Sequence, residues 1–247
     1  MLIDKISHSR LQLFYQCPFK YRLKYHEKIN PSYTPDYFEF GHFMHRALEL
    51  IVKNKTTVDE AAKESMKEFF NFDASYLDRS RNMFSNFLKF QEMIYSNDFD
   101  HEETEKEFRL NLGDEPRSFL VNGVVDRTIH FNNNKILIVD YKTSKAHNQI
   151  KKETANDDKQ LLTYMWACSI ENSAALEDIT SMLFYLESGD KVIAHPEKRK
   201  IDLHVQECLI TANIISDMDP SQAKANVSRA CRFCDYNTIC PFYKRSN

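Results

Sequence analysis

The sequence is poor in glycine, with four in 247 residues. Loops that cradle phosphate with consecutive backbone N–H groups need several glycines at fixed spacing, so P-loop and dinucleotide-binding chemistry is excluded. Long apolar runs are missing too. None approaches the roughly 20 residues of a membrane-spanning helix, and no membrane association is expected. The opening stretch, MLIDKISHSRLQLFYQ, has no basic segment followed by an apolar core, so no secretory signal is expected there. That points to a cytoplasmic, reducing location in which disulfides do not persist. A basic excess is also lacking: 33 Lys and Arg against 36 Asp and Glu give a net charge of −3. The global electrostatic footprint of a nucleic-acid binder is therefore absent, and only a local one remains open. The basic runs are KYRLKYHEK (20–28), KTSKAHNQIKK (142–152) and the basic flanks of the cysteine-rich stretch near the C-terminus, and the acidic one is DFDHEETEKE (98–107). Solvated helix faces are the ordinary account of each such run taken alone.

Cysteine is scarce but unevenly placed. Of six, Cys231, Cys234 and Cys240 fall within ten residues in the pattern C-x2-C-x5-C. Three thiols are one short of the four that most thiolate-ligated metal sites use. Cys168 and Cys208 fall on helix faces and read as buried thiols.

A hydrophobic content of 42% and an aromatic content of 13% are enough for one substantial core at this length. Apolar spacing predicts two helical pieces, or one kinked at Pro18, over 7–26, then helices over 41–53, 57–71 and 76–96. Alternation and apolar runs predict strands over 105–112, 119–131 and 135–143, the last of the buried type. A helix over 157–171, strands over 179–187 and 191–195, and a helix over 201–218 complete the chain. The first three strands read as a meander, and the fourth follows a helix as a crossover to a parallel neighbour does. The fold class is mixed α/β, a mixed sheet with helices packed on it.

GVVDRTIHFNNNKILIVDYKT (123–143) carries the most unusual chemistry. Asp126 lies in the second strand and Asp140 ends the third. Lys142, two residues on, shares the strand face of Asp140. A buried strand end does not tolerate a carboxylate without a partner. Two carboxylates on neighbouring strands repel unless a hard divalent cation lies between them. A lysine beside such a cation can orient a water and stabilise charge developing on a phosphate. The ordinary alternative is a surface salt bridge of Asp140 with Lys142 or Arg127. His45, in GHFMHRALE, can complete a mixed imidazole and carboxylate site that suits Mn²⁺ better than Mg²⁺; the alternative is a satisfied core histidine. Gln160 and Tyr164, four residues apart on one helix face, can bond to phosphate or base, or be plain helix surface.

Six segments in order, ISHSRLQLFYQCPFKYRLKY, GHFMHRALE, GVVDRTIHF, ILIVDYKTSK, QLLTYMWA and CRFCDYNTICPFY, resemble the motif series of RecB-like nucleases in the PD-(D/E)XK superfamily. More narrowly they resemble its iron–sulfur branch, which includes the AddB nuclease domain and the small stand-alone CRISPR-adaptation exonucleases. The resemblance implies a restriction-endonuclease-like core flanked by helices, with a helical insert. It implies that His45, Asp126, Asp140 and the main-chain carbonyl of Tyr141 bind Mn²⁺ or Mg²⁺. Asp126, Asp140 and Lys142 would be catalytic, Gln160 and Tyr164 would lie near DNA, and Glu49 would support the site. It also supplies the missing thiol, Cys17 in YQCPFKY, for a 4Fe-4S cluster with Cys231, Cys234 and Cys240. Such a cluster would join the N- and C-terminal parts and remove about 4–5 kcal/mol of unfolded-chain entropy, by analogy with a disulfide. Structural zinc in the same thiolates is the alternative; the x5 gap, longer than in usual zinc knuckles, and Pro241 after the last Cys favour the cluster.

On this reading residues 1–247 form a single nuclease domain. Residues 1–40 and 219–247 bear the cluster, 54–100 are the helical insert, and 41–53 with 101–218 are the nuclease core. The expected activity is metal-dependent DNA cleavage, as an exonuclease on single-stranded ends, in repair or recombination or in CRISPR adaptation. A helicase or an integrase is the expected protein partner, since no helicase motif is present here. The competing functions are a DNA-end-binding protein without catalysis, which the intact Asp126, Asp140 and Lys142 set argues against, and a zinc-stabilised nucleic-acid adaptor.

Overall fold

The computed structural model describes residues 5–31, 36–68, 75–114, 117–144 and 155–243. The chain divides into two compact units, one of Met1–Pro35, Arg109–Asn122 and Gln206–Asn247, the other of Asp36–Phe108 and Gly123–Val205.

In the first unit, β1 (Lys5–Ile6) pairs in parallel with Leu120 and Val121. Helix α1 (His8–Gln16) begins at Ser7, whose hydroxyl accepts from the Arg10 N–H at 3.3 Å. It ends because Pro18 follows: a residue before proline is driven out of the helical region, and Cys17 is extended at φ −163° and ψ 104°. Pro18 then takes the first position of α2 (Pro18–Tyr21), where its missing N–H costs nothing. Of the two readings at Pro18, two helical pieces is the one found, with Cys17 at the corner. The C-terminal segment is laced to this corner. The Phe19 N–H donates to the Lys224 carbonyl at 3.2 Å. The Asn226 amide donates to the carbonyls of Tyr15 and Gln16, each at 3.2 Å. Phe19, Leu23 and Tyr236 form a small core against which Cys17, Cys234 and Cys240 pack.

The second unit is built on a mixed sheet. Helices α3 (Asp36–Asn54), α4 (Val58–Met66) and α5 (Ser75–Tyr95) come first. β2 (Phe99–Leu112) pairs with β3 (Phe119–Phe131). β3 and β4 (Ile136–Lys142) are antiparallel, in register from His130 opposite Ile136 to Arg127 opposite Val139. After α6 (Lys159–Glu171), β5 (Ile179–Tyr185) lies parallel to β4, and β6 (Asp190–Ala194) lies antiparallel to β5. Helix α7 (Lys198–Asp217) starts in this unit, and its residues from Gln206 onward belong to the first. The apolar stripe Phe40, Phe43, Met44, Ala47, Leu48 and Ile51 of α3, at helical spacing, and Met83, Phe84, Phe87, Phe90 and Ile94 of α5 bury one face of this sheet.

The mixed α/β class and the parallel crossover partner of the third long strand are as the sequence predicts. β2 starts six residues earlier than expected, so the acidic run 98–107 is largely strand rather than solvated helix. The end of the helix predicted to 71 and most of the basic run 142–152 lie outside the described residues. Cys168 and Cys208 are buried on helices, as their spacing predicts.

Candidate active site

The site forms where β3 and β4 stop pairing. Beyond Arg127 opposite Val139, the Tyr141 N–H donates to the Asp126 carboxylate Oδ2 at 2.7 Å. The other Asp126 oxygen lies 3.4 Å from His45 Nδ1, and the same imidazole nitrogen lies 4.0 Å from Glu105. One ligand atom each from His45, Glu105 and Asp126 lies within 4.8 Å of the others. Asp140, 2% exposed, meets the Lys142 ammonium at 2.5 Å. Lys142 also donates to Gln160 Oε1 at 3.1 Å, and Gln160 Nε2 donates to the Tyr164 hydroxyl at 2.7 Å. Gln160 is placed by the start of α6, where Asp158 accepts from the N–H groups of Gln160 and Leu161. His45, Glu105, Asp126, Asp140, Tyr141, Lys142 and Gln160 line one open cleft of roughly 420 Å³.

The charges in the cleft are unbalanced, and the titrations register it. Burial and the Asp126 charge push the Asp140 carboxyl up to about 7, against the pull of Lys142. Burial and Asp126 push Glu105 up to about 7 as well. Burial lowers the His45 pKa, but the charge and hydrogen bond of Asp126, with Asp140 and Glu105, overcome it and raise the imidazole to about 9. Burial alone would lower Lys142, but Asp140 raises it and keeps the ammonium charged. Tyr164 is held above its ordinary value by burial and then by Asp126 and Asp140. Glu105, Asp140 and the His45 imidazole, displaced toward their protonated forms, mark a donor set short of positive charge. Oxygen donors with one nitrogen fit Mg²⁺ or, better, Mn²⁺.

Every residue singled out in this region of the sequence is brought to the cleft or its wall, with two corrections. Asp140 does pair with Lys142, but its carboxylate is buried and the lysine half-buried, so this is not a plain surface salt bridge, and Arg127 is not its partner. Strand alternation sends Arg127 to the opposite face, where it pairs with Glu102. Glu49 lies outside the cleft, bound to Arg46 at 2.6 Å and Lys53 at 3.5 Å, and reaches it only through the upward push of its charge on Glu105.

Glu105 itself is the candidate ligand that sequence reasoning missed. Strict alternation in β2 groups it with the exposed Glu107 and Arg109, but Glu105 has φ +47°. A non-glycine residue in the left-handed region costs about 1–3 kcal/mol and breaks the alternation. An acidic residue at the edge of a predicted strand was the available signal.

In the first unit, Cys17, Cys231, Cys234 and Cys240 are all half-buried free thiols lining one cavity of roughly 350 Å³. Cys17 Sγ accepts from the Lys20 N–H at 3.4 Å and Cys231 Sγ from the Ser228 N–H at 3.3 Å. Burial raises the Cys234 thiol, and the neighbouring Cys17 adds to the rise. Among the described residues these sulfurs do not form a group within 4.8 Å of one another as His45, Glu105 and Asp126 do.

Residues 5–241 match the family model described as the PD-(D/E)XK nuclease superfamily. The chain is 28% identical over 226 residues to an ATP-dependent helicase/deoxyribonuclease subunit of Streptococcus pyogenes serotype M1, covering 84% of this chain and 20% of the relative. The protein of the same name from serotype M3 (strain ATCC BAA-595 / MGAS315) is 28% identical over 192 residues, covering 71% of this chain and 17% of the relative. The chain therefore spans about a fifth of the length of these curated relatives. The crystal structure of SSO0001 aligns with 98% of this chain and 88% of its own at 16% identity and a TM-score of 0.47, too distant to add to the assignment. The family model covers nearly the whole chain, and the chain belongs to the PD-(D/E)XK nuclease superfamily.

Proposed function

We propose that this chain is a divalent-metal-dependent deoxyribonuclease acting as an exonuclease on single-stranded DNA ends. The observation that carries the proposal is the convergence of His45, Glu105 and Asp126 beside the Asp140–Lys142 pair at the open end of β3 and β4. His45, Asp126 and Asp140, with the main-chain carbonyl of Tyr141, would hold the ion, and Glu105 joins that set. A divalent ion there supplies Lewis-acid polarisation of a phosphate and a water of lowered pKa. Asp126 has one oxygen fixed by the Tyr141 N–H and the other turned to His45, so its orientation is preset. Lys142, held between Asp140 and Gln160, offers an ammonium where charge develops on the phosphate. Gln160 and Tyr164 order that lysine and are read as the groups nearest the DNA; Glu49 supports the site through its charge.

The four thiols are read as ligands of a 4Fe-4S cluster that joins the N- and C-terminal parts of a single nuclease domain. The x5 gap between Cys234 and Cys240 and Pro241 after the last Cys favour the cluster over zinc in the same thiolates. The relatives' names, each a helicase/deoxyribonuclease subunit, support a helicase partner; repair or recombination, or CRISPR adaptation with an integrase partner, are the roles the motif series allows. Action on DNA is the ground for a cytoplasmic location; no helix among the described residues is long and apolar enough to cross a membrane. The test is digestion of end-labelled single-stranded and duplex DNA with Mn²⁺ or Mg²⁺. Wild type should shorten single strands from an end, at least as well in Mn²⁺. Asp140→Ala and Lys142→Ala should be folded and inactive; wild-type digestion by either variant would sink the assignment.

A further inference from the structure

Tyr141 stands between Asp140 and Lys142 in β4, and its side chain leaves the sheet on the face opposite theirs. It touches both members of the His45–Asp126 contact. Its backbone N–H donates to Asp126 Oδ2 at 2.7 Å. Its ring meets the His45 ring edge-on, with centroids 6.3 Å apart. Its hydroxyl accepts from Arg127 Nη1 at 3.2 Å. Arg127 is wholly buried. Its Nε donates to Glu102 Oε2 at 2.8 Å, and its Nη2 donates to the same oxygen. The other Glu102 oxygen accepts from the Tyr95 hydroxyl at 2.6 Å.

A buried ion pair gives little or no stability over apolar side chains of the same volume. Its presence inside a core of phenylalanines therefore asks for a reason beyond stability. The geometry supplies one. The β3–β4 register runs to Arg127 opposite Val139, and past that point the two strands are joined through the Asp126–Tyr141 bond rather than through a further rung. The end of β4 stays paired with β5 through Tyr141 and Lys142, so it is the β3 end, carrying Asp126 and Arg127, that side chains tie to β4 where the β3–β4 ladder has stopped. Asp126 and Arg127 are consecutive in β3, and Asp140, Tyr141 and Lys142 are consecutive in β4. Each strand thus presents one face to the cleft and the next to the anchor.

We propose that Glu102, Arg127 and Tyr141 form a clamp behind the sheet that positions Asp126 and His45 for the cation. Glu102 fixes Arg127, Arg127 fixes the Tyr141 hydroxyl, and Tyr141 presents its N–H to Asp126 and its ring to His45. All three are positioning residues, and the inference rests on the metal site proposed above.

Tyr141→Phe tests it, because this change keeps ring, volume and main-chain carbonyl and removes only the hydroxyl. Tyr95→Phe is the control, removing the other hydroxyl on Glu102 at a point away from the cleft. Binding of Mn²⁺ to the full chain without DNA is read from the electron paramagnetic resonance of the free aqua ion, alongside melting temperature. Tyr141→Phe should weaken Mn²⁺ binding about tenfold, the low end for residues that orient metal ligands from behind. Tyr95→Phe should leave it unchanged, while the two variants melt alike. Glu102→Gln, which keeps shape and removes the charge that holds Arg127, should act in the direction of Tyr141→Phe. Wild-type affinity in both Tyr141→Phe and Glu102→Gln overturns the clamp, as does equal weakening by Tyr95→Phe. A wild-type chain that binds no Mn²⁺ overturns the metal site itself and the clamp with it, so the two failures are distinguishable.

Discussion

Cation binding to this cleft should expel protons, and the structure sets how many. At pH 7 the imidazole of His45, raised to about 9, carries essentially a whole proton. Glu105 and Asp140, each pushed up to about 7, carry about half a proton apiece. A metal ion needs the ligating imidazole nitrogen free and the carboxylates ionised. Binding at pH 7 should therefore release about two protons, and at pH 8 about one, because by then the carboxyls are nearly ionised. The sign is fixed: affinity rises with pH while these groups titrate. Between pH 6.5 and 7.5 the average release of about two protons corresponds to a gain in Mn²⁺ affinity of about a hundredfold.

Calorimetry in buffers of different ionisation heat counts the protons directly, and Mn²⁺ titration at the two pH values measures the affinity change. Glu105→Gln should lower the count at pH 7 by about half a proton, since its own half is lost. A gain below about threefold across that pH interval, or no heat difference between buffers, would refute the reasoning that these groups share one cation site.

Other expectations follow from the two units separately. Replacing Cys17 by Ser should lower the iron content of anaerobically purified protein and its melting temperature, because cluster binding and folding are linked; equal iron in variant and wild type would remove Cys17 from the ligand set. Replacing Cys168 or Cys208, both buried in helices, should leave iron unchanged by the same assay. Gly123→Ala should destabilise by about 1–3 kcal/mol in denaturant unfolding, since a Cβ there would meet the Phe108 ring at 2.5 Å. Phe108 packs edge-on against Tyr164 at 6.2 Å, so the same variant should also lower cleavage; unaltered stability would show that the ring moves aside freely.

The parts of this molecule legible in the sequence are those governed by one strong periodicity. The run ILIVDYK reads as a buried strand because its apolar residues are continuous, and period two then fixes which face Asp140 and Lys142 share. Pro18 marks the end of α1 because it constrains the residue before it. The residues that escape such reading are set by departures from period. β1 is two residues long, too short to carry a pattern. Glu105 faces the cleft because of one left-handed residue, and nothing in EKEFRLNL marks that break. Arg127 follows Asp126 so closely that a shared site is the natural reading, whereas adjacency in a strand means opposite faces.

Those opposite faces explain how so much charge is tolerated at one place. Behind the sheet, Arg127 and Glu102 neutralise each other and are satisfied by the tyrosine hydroxyls, so that side needs nothing from solvent. In the cleft, the carboxylates of Asp126, Asp140 and Glu105 lie beside the Lys142 ammonium and the His45 imidazole, while Arg46 and Glu49 act on Glu105 with opposite signs from outside it. When the imidazole is neutral, as a ligand must be, the three carboxylates and one ammonium leave two negative charges. A single divalent ion brings that total to zero, whereas a monovalent ion leaves the site in need of a proton. Without a cation the same neutrality is approached by protonating His45 and, in part, Glu105 and Asp140, which is the pattern of displaced titrations found here. Protons and a divalent ion are thus alternative occupants of one charge deficit. That is why pH, and not only metal concentration, should govern when the site is loaded.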